Sequence, residues 1–520
     1  MEIIRTVDLT KKYGEFIAND KINLSVQAGE IKAIVGENGA GKTTLMNMLY
    51  GMFKPTSGEI FIKDKEVKFN SPTDAIKNGI GMVHQHFKLV PSLTVYENVL
   101  LGTELEVHHK IGKKSFPLRI IDKKKEIKVV ENLIKKYKFQ ISSTDLIKNI
   151  SVGAKQKVEI LKMLYRNVEI LIFDEPTAVL TPQEIRTFFD TLRELKSKNK
   201  TIILITHKLQ EVIEVSDSVT VIKQGKVIGN LITKNTSSRE LARLMVGRDV
   251  LLRADKTYKN YKNEPVIYSV KNLSTINSDG IKVVNKISFD IHEGEILGIA
   301  GVEGNGQSEL LDILSGILKA TSGEVFMKGK KITNLWPKKL RESKMAFIPE
   351  DRFEKGLCKD MLISENMIAG YHGKKEICRY GFISQKKMLE RMNTLIDKYD
   401  IRVSDRKGKI SSLSGGNAQK IIVAREFDSD PDLLIAAEPT RGVDIGAIEY
   451  IHNNLLKLQK QGKSILLVSS ELSEIMNLSD RILVMFKGEI IGEVDANNTT
   501  REEIGYLMAG IRKDVNDENN

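Results

Sequence analysis

Gly36-Glu37-Asn38-Gly39-Ala40-Gly41-Lys42-Thr43 fits the pattern G-x-x-x-x-G-K-[ST] at every position, between an apolar run, Ile31–Val35, and the start of a helical pattern. Glycines at 36, 39 and 41 let the backbone curl so that successive N–H groups, those of Glu37, Asn38 and Ala40 included, converge on one point. The helix expected from about Lys42 through Leu49, with Thr44 in its first turn, adds its positive end. That cradle suits the phosphates of a nucleotide. Lys42 would reach the β and γ phosphates and the Thr43 hydroxyl would serve Mg2+.

The same apparatus occurs a second time, altered. Gly301-Val302-Glu303-Gly304-Asn305-Gly306-Gln307-Ser308 keeps the glycines but has Gln307 where the lysine should be. Thr56–Glu59 recurs as Thr321–Glu324 at an offset of 265 residues, and Glu175–Thr177 as Glu438–Thr440 at 263. Landmarks repeating at a nearly fixed offset mean duplication of a whole domain. The expected division is a first domain over 1–248, a linker over 249–265, a second domain over 266–512 and a disordered polar tail over 513–520. Both domains are expected to be α/β: strands alternating with helices imply a mostly parallel sheet with ligand loops at the strand C-termini, and each also has a mostly helical middle section, 88–165 and 355–428. The basic stretch Lys110–Lys138 reads as a charged helix surface.

Composition excludes several classes. The chain has 520 residues, 41% of them hydrophobic, which is ample for two cores. No run of eighteen apolar residues occurs, and the N-terminus opens on Glu2 without a signal-peptide apolar segment, so a cytoplasmic protein is expected. Two cysteines, Cys358 and Cys378, are too few for a disulfide framework or a cysteine-rich metal site. The net charge of +12 suits an anionic membrane surface, nucleotide or RNA, and equally a lysine-rich solvated surface.

The buried strand Ile170–Phe173 ends in Asp174-Glu175. Asp174 is placed to support Mg2+, and Glu175, one residue on, to polarise an attacking water. Alone, two acids after a strand would cap the next helix as readily; the P-loop upstream favours the chemical reading. Ahead of the acids lies Ile150-Ser151-Val152-Gly153-Ala154-Lys155-Gln156, matched in the second half by Leu413-Ser414-Gly415-Gly416-Asn417-Ala418-Gln419.

The latter resembles the L-S-G-G-x-x-Q signature of ATP-binding-cassette ATPases, and the former a worn version of it. The order P-loop, glutamine, signature, acidic strand and histidine extends the resemblance over nearly the whole chain. It implies that Gln85 senses Mg2+ and water, that His207 contacts the γ-phosphate, and that Tyr13 stacks on adenine. ATP and Mg2+ are then the expected cofactors, with Thr43, Gln85 and Asp174 at the metal and Lys42, Gln85, Glu175 and His207 catalytic. His84 and His86, flanking Gln85, read as loop-lining residues.

The second copy departs repeatedly: Gln307 for Lys42, Glu350 for Gln85, Ala437 for Asp174, Ser470 for His207, and no aromatic between Ser274 and Lys282 in the place of Tyr13. Cassettes of this family pair head-to-tail, each P-loop facing the partner's signature. On that pairing the intact P-loop meets Ser414, Gly415 and Gly416. The degenerate site then combines Gly301, Glu303, Gly304, Asn305, Gly306, Gln307 and Ser308 with Ser151 and Gly153. The resemblance therefore implies one hydrolysing site and one nucleotide-holding site.

A fused pair with a degenerate second half looks like the ATP-binding subunits of bacterial simple-sugar and nucleoside importers. Met82-Val83-His84-Gln85-His86-Phe87 leans to the nucleoside branch. The implied partners are membrane permease subunits, with a substrate-binding lipoprotein outside the membrane and no nucleic acid. The implied location is peripheral, on the cytoplasmic face. Segments Phe87–Asn98 and Arg352–Leu357 would face the permease. A ribose- or galactose-type importer is the first alternative and a soluble ribosome-associated tandem factor a remote one. A DNA-repair cassette would need cysteine-rich zinc modules.

Overall fold

Strands and glycine loops fall where apolar runs and turn residues require. The computed structural model describes residues 1–37, 39–84, 87–111, 114–177, 180–247, 261–277, 280–302, 304–403 and 405–511, without side chains at 108–111, 114–119 and 262. Asn38, Gln85, Glu303, most of the expected linker and the tail lie outside the described residues. The chain divides into two compact units, Met1–Asp249 and Val250–Asn520.

In the first unit a six-stranded sheet runs in the order Lys226–Ile232, Ser218–Lys223, Ile31–Val35, Thr201–Ile205, Ile170–Asp174, Ile80–Val83. All neighbours pair in parallel except the first two. The four strands Ile31–Val35, Ile80–Val83, Ile170–Asp174 and Thr201–Ile205 are buried along their whole length, which explains sequences that are apolar apart from buried Lys32 and the terminal Thr201 and Asp174. Each fully buried Ile, Leu or Phe contributes about 2 kcal/mol. A second, antiparallel sheet carries Glu2–Tyr13 between Phe16–Ile22 and Ser57–Ile62.

The second unit repeats this plan: Met345–Ile348, Leu433–Ala437, Ser464–Ser469, Ile296–Ala300, Arg481–Phe486 and Glu489–Asp495 form the same order read from the other end. The helices Lys42–Leu49 and Gln307–Leu314 begin and end where the sequence places them.

Three expectations need correction. The middle sections are not helical throughout, because Glu106–Ile111 and Lys114–Ile121 form an antiparallel hairpin, echoed by Cys378–Arg379 and Phe382–Ile383. The basic stretch Lys110–Lys138 is consequently strand before it becomes the helix Lys123–Lys136. Pro117 is intolerable in a helix interior, and Val107, Ile111, Ile120 and Ile121 favour an extended backbone. The expected linker also ends early: Tyr261 is buried and accepts a hydrogen bond from Gln459 Nε2 at 3.1 Å, so 261–265 packs on the second unit. Among the described residues no helix is long and apolar enough to cross a membrane.

Candidate functional site

Sheet register assembles the site. Ile205 pairs with Ile34 on one side and Asp174 on the other, so the P-loop, Thr206-His207 and Asp174-Glu175 all leave the sheet at one edge. Gly41 caps the P-loop helix at φ 99°, a region closed to most residues, and a Cβ there would sit 2.4 Å from Ala18 O. Buried Asn19 donates its Nδ2 to Gly41 O at 3.1 Å. No motif flags Asn19, yet it braces the loop from the neighbouring strand. That strand begins at Phe16, paired with Tyr13, so one hairpin connects Tyr13 to the P-loop. Tyr13 is 46% exposed, edge-on to Phe53 with Lys11 over its face.

Lys42 Nζ donates to the carbonyls of Gly36 at 2.8 Å and Glu37 at 3.0 Å, inside the curl of the loop. Thr43 is exposed in the first helical turn, while Ala40 is buried. Burial holds Lys42 below its usual range, against the pull of Glu175, Asp174 and Glu37. Burial also pushes Asp174 up to about 6, with Glu175 adding to it and Lys42 opposing. A buried carboxylate under this strain favours a cation beside it. Thr43 and Asp174 thus fit Mg2+, and Lys42 with the loop amides fits triphosphate oxygens.

Glu175 stands at φ 46°, and its counterpart Glu438 at φ 43°, a left-handed turn that bulky residues rarely adopt. Its N–H donates to Ile205 O at 3.0 Å, and its Oε1 meets His207 Nδ1 at 3.0 Å. Burial works against its charged form, but the bond and charge of His207, with Lys42 and Lys208, outweigh it and hold the carboxyl below the usual range. An ionised carboxylate, a histidine and a P-loop lysine therefore lie together at one sheet edge.

The signatures open their helices. Ser151 caps Val152–Tyr165 by accepting from Ala154 N at 3.2 Å, and Ser414 caps Gly415–Phe427 by accepting from Asn417 N at 3.4 Å. The N–H of Gly153 is already engaged by Glu184 Oε1 at 3.4 Å, whereas Ala447 occupies the corresponding place in the second unit. Gln156 and Gln419 each donate to the carbonyl of the proline after the acid, Pro176 at 3.0 Å and Pro439 at 2.9 Å. Both glutamines tie signature to acid strand inside their own unit. The repeated final Q of the signature could have identified them.

The loop after Gln85 is tied to the signature helix as well: Lys88 N donates to buried Glu159 at 2.6 Å, and Lys162 Nζ to Lys88 O at 3.3 Å. His84 packs edge-on against Tyr50.

In the second unit Gln307 Nε2 turns onto Val302 O at 3.2 Å. Glu438 accepts from Ser470 N at 2.6 Å and has no histidine in the place of His207. Burial pushes it up to about 7, with Glu474 adding and the Ser470 bond opposing. The folded carboxyl thus binds its proton more tightly than an unfolded one. Folding is penalised by nothing below the ordinary value of 4.5, increasingly up to about 7, and fully above it. Glu438→Gln is expected to stabilise the second unit by roughly 2–3 kcal/mol at pH 8 and by much less at pH 5. Thermal unfolding at both pH values measures it; an equal gain at both would contradict the assignment.

Residues 19–178 and again 284–441 match the ABC transporter family. The chain belongs to this family and carries its nucleotide-binding domain twice. It is 45% identical over 508 residues to the nucleoside import ATP-binding protein NupA of Lactococcus lactis subsp. cremoris, covering 98% of each chain. It is 46% identical to the guanosine import ATP-binding protein NupO of Bacillus subtilis, covering 98% of this chain and 97% of that one. The ribose import ATP-binding protein RbsA of Yersinia pestis is 35% identical, with 98% and 96% covered.

Proposed function

We propose that the chain hydrolyses ATP, with Mg2+, to energise uptake of nucleosides through separate membrane permease subunits on the cytoplasmic face of the membrane. The observation that carries this reading is full-length similarity to two nucleoside importers at 45% and 46% identity, against 35% for the ribose importer. The segment Met82–Phe87 points the same way. Sugar import is the alternative, and it rests on a relative of lower identity.

Within this reading the first unit does the chemistry. The loop amides and Lys42 bind and orient the triphosphate. Thr43, Gln85 and Asp174 are the residues that would hold Mg2+, which would neutralise phosphate charge when bound. Glu175, kept ionised, accepts a hydrogen bond from the attacking water and draws its proton away, and His207 is fixed against Glu175 to meet the γ-phosphate. On the head-to-tail pairing that the family resemblance implies, the signature Ser414-Gly415-Gly416 would serve this site. The second P-loop, with Ser151 and Gly153, holds nucleotide without fast turnover, because Gln307 brings no cation and Ala437 no carboxylate. Phe87–Asn98, tied to the signature helix through Glu159, is the surface that passes the change to a permease; a substrate-binding lipoprotein delivers the solute on the far side.

The test is uptake of labelled guanosine, uridine and ribose by proteoliposomes holding the chain with its permease. ATP-dependent uptake of nucleosides and exclusion of ribose is the expected result. Ribose uptake alone would move the assignment to the sugar reading.

A further inference from the structure

The repeat hides an insertion. Val90 is fixed in the first unit by Asn98, which accepts from its N–H at 2.7 Å and donates to its carbonyl at 3.2 Å. Cys358 is fixed in the same way by Asn366, at 2.8 and 3.1 Å. Five residues separate Gln85 from Val90, but eight separate Glu350 from Cys358. The extra length forms the turn Arg352–Gly356, and that turn carries Lys355.

Lys355 sits at the metal side of the altered P-loop. Its Nζ lies 3.1 Å from Glu350 Oε1, and 2.8 and 3.1 Å from the two carboxylate oxygens of Asp312. The other oxygen of Glu350 accepts from Ser308 Oγ at 2.7 Å. Ser308 and Glu350 stand where the first unit has Thr43 and Gln85, and Asp312 where it has Asn47. An ammonium bound to two carboxylates therefore occupies the neighbourhood that the first unit offers to a divalent ion.

These residues do not fit Mg2+. The place of the strand-end acid Asp174 is taken by Ala437, and the two carboxylates present, Glu350 and Asp312, are both already paired with the Lys355 ammonium. Mg2+ needs near-octahedral oxygen ligands, and it would have to enter against Lys355. Gln307 brings no charge to the loop, so without Lys355 the carboxylates of Glu350 and Asp312 would stand uncompensated beside it.

We propose that the second unit holds a nucleotide's phosphates without a divalent cation, Lys355 filling the metal's neighbourhood and offsetting the carboxylates of Glu350 and Asp312 that would otherwise repel phosphate. This rests on the reading of the second unit as a nucleotide-holding site. A site closed to metal in this way positions no water and polarises no leaving group as a metal would. Retention without turnover follows from that chemistry.

The test uses the full-length protein saturated with a non-hydrolysable ATP analogue. Bound Mn2+ is counted by electron paramagnetic resonance and bound analogue by equilibrium dialysis, with and without excess EDTA. Two analogues but one Mn2+ per chain are expected, with one analogue surviving EDTA. Lys355→Ala should weaken that EDTA-resistant binding by about tenfold or more, corresponding to ~1.4 kcal/mol, and Lys355→Arg should restore most of it. Two Mn2+ per chain would overturn the proposal without needing any variant, as would EDTA-resistant binding indifferent to Lys355→Ala. A single analogue per chain, lost completely in EDTA, would instead remove the nucleotide-holding role of the second unit, and the proposal with it.

Discussion

Glu175→Gln should lower steady-state phosphate release by ~100-fold or more and leave ATP bound. The substitution is nearly isosteric, and glutamine can still pair with His207 Nδ1, now 3.0 Å from Glu175 Oε1. The left-handed turn at φ 46° persists because the N–H bond to Ile205 O does not involve the side chain. What disappears is the negative charge that His207, Lys42 and Lys208 hold in place against burial. Lys42 and the loop amides are untouched, so affinity should change little.

The matched substitution Glu438→Gln should leave turnover within about twofold of wild type. Glu438 shares the left-handed turn, yet burial pushes it to about 7, it has no histidine partner in the place of His207, and its site lacks the lysine and the metal carboxylate. Two carboxylates at equivalent positions thus have different chemistry because their surroundings differ. Equal loss of phosphate release from both substitutions would sink the one-site reading.

Much of this was legible in the chain itself, and the exceptions have physical causes. The P-loop helix boundaries follow from Gly41 and Gly306, whose left-handed caps leave no other starting point. The parallel core strands declare themselves by nearly continuous apolar runs. The hairpin Glu106–Ile121 was masked by its lysines, which blur period-two alternation into the look of a charged helix. The inserted turn at Arg352–Gly356 was masked differently. Its three extra residues raise the offset from 265 to 268, and the longer first-unit hairpin region then more than cancels them, so the offset at the signature is 263. Offsets between distant landmarks record only the sum of insertions. Asn19, Gln156 and Gln419 act by bracing backbone carbonyls, a role that carries no charge pattern to read.

The second large effect is expected at Gly416, in the signature proposed to serve the nucleotide held by Lys42. Gly416→Asp should reduce hydrolysis by ~100-fold or more, because it sets a carboxylate against the γ-phosphate where a helix N-terminus otherwise favours the anion. Gly153→Asp, in the worn signature, should be much milder. The local surroundings agree in one respect only, since Gly416 is buried and Gly153 half-buried with its N–H on Glu184, so stability has to be measured beside turnover. A Cβ on Gly416 would lie 2.9 Å from Asp444 Oδ2, and a Cβ on Gly153 2.9 Å from Glu184 Oε1. Each variant therefore meets one carboxylate of its own domain at the same distance. Any asymmetry in turnover at equal stability reports which signature serves the hydrolysing site. Phosphate release and thermal unfolding are measured for both variants. If Gly153→Asp lost more activity at equal stability, the first P-loop would be served by its own unit's signature and the head-to-tail assignment would be wrong.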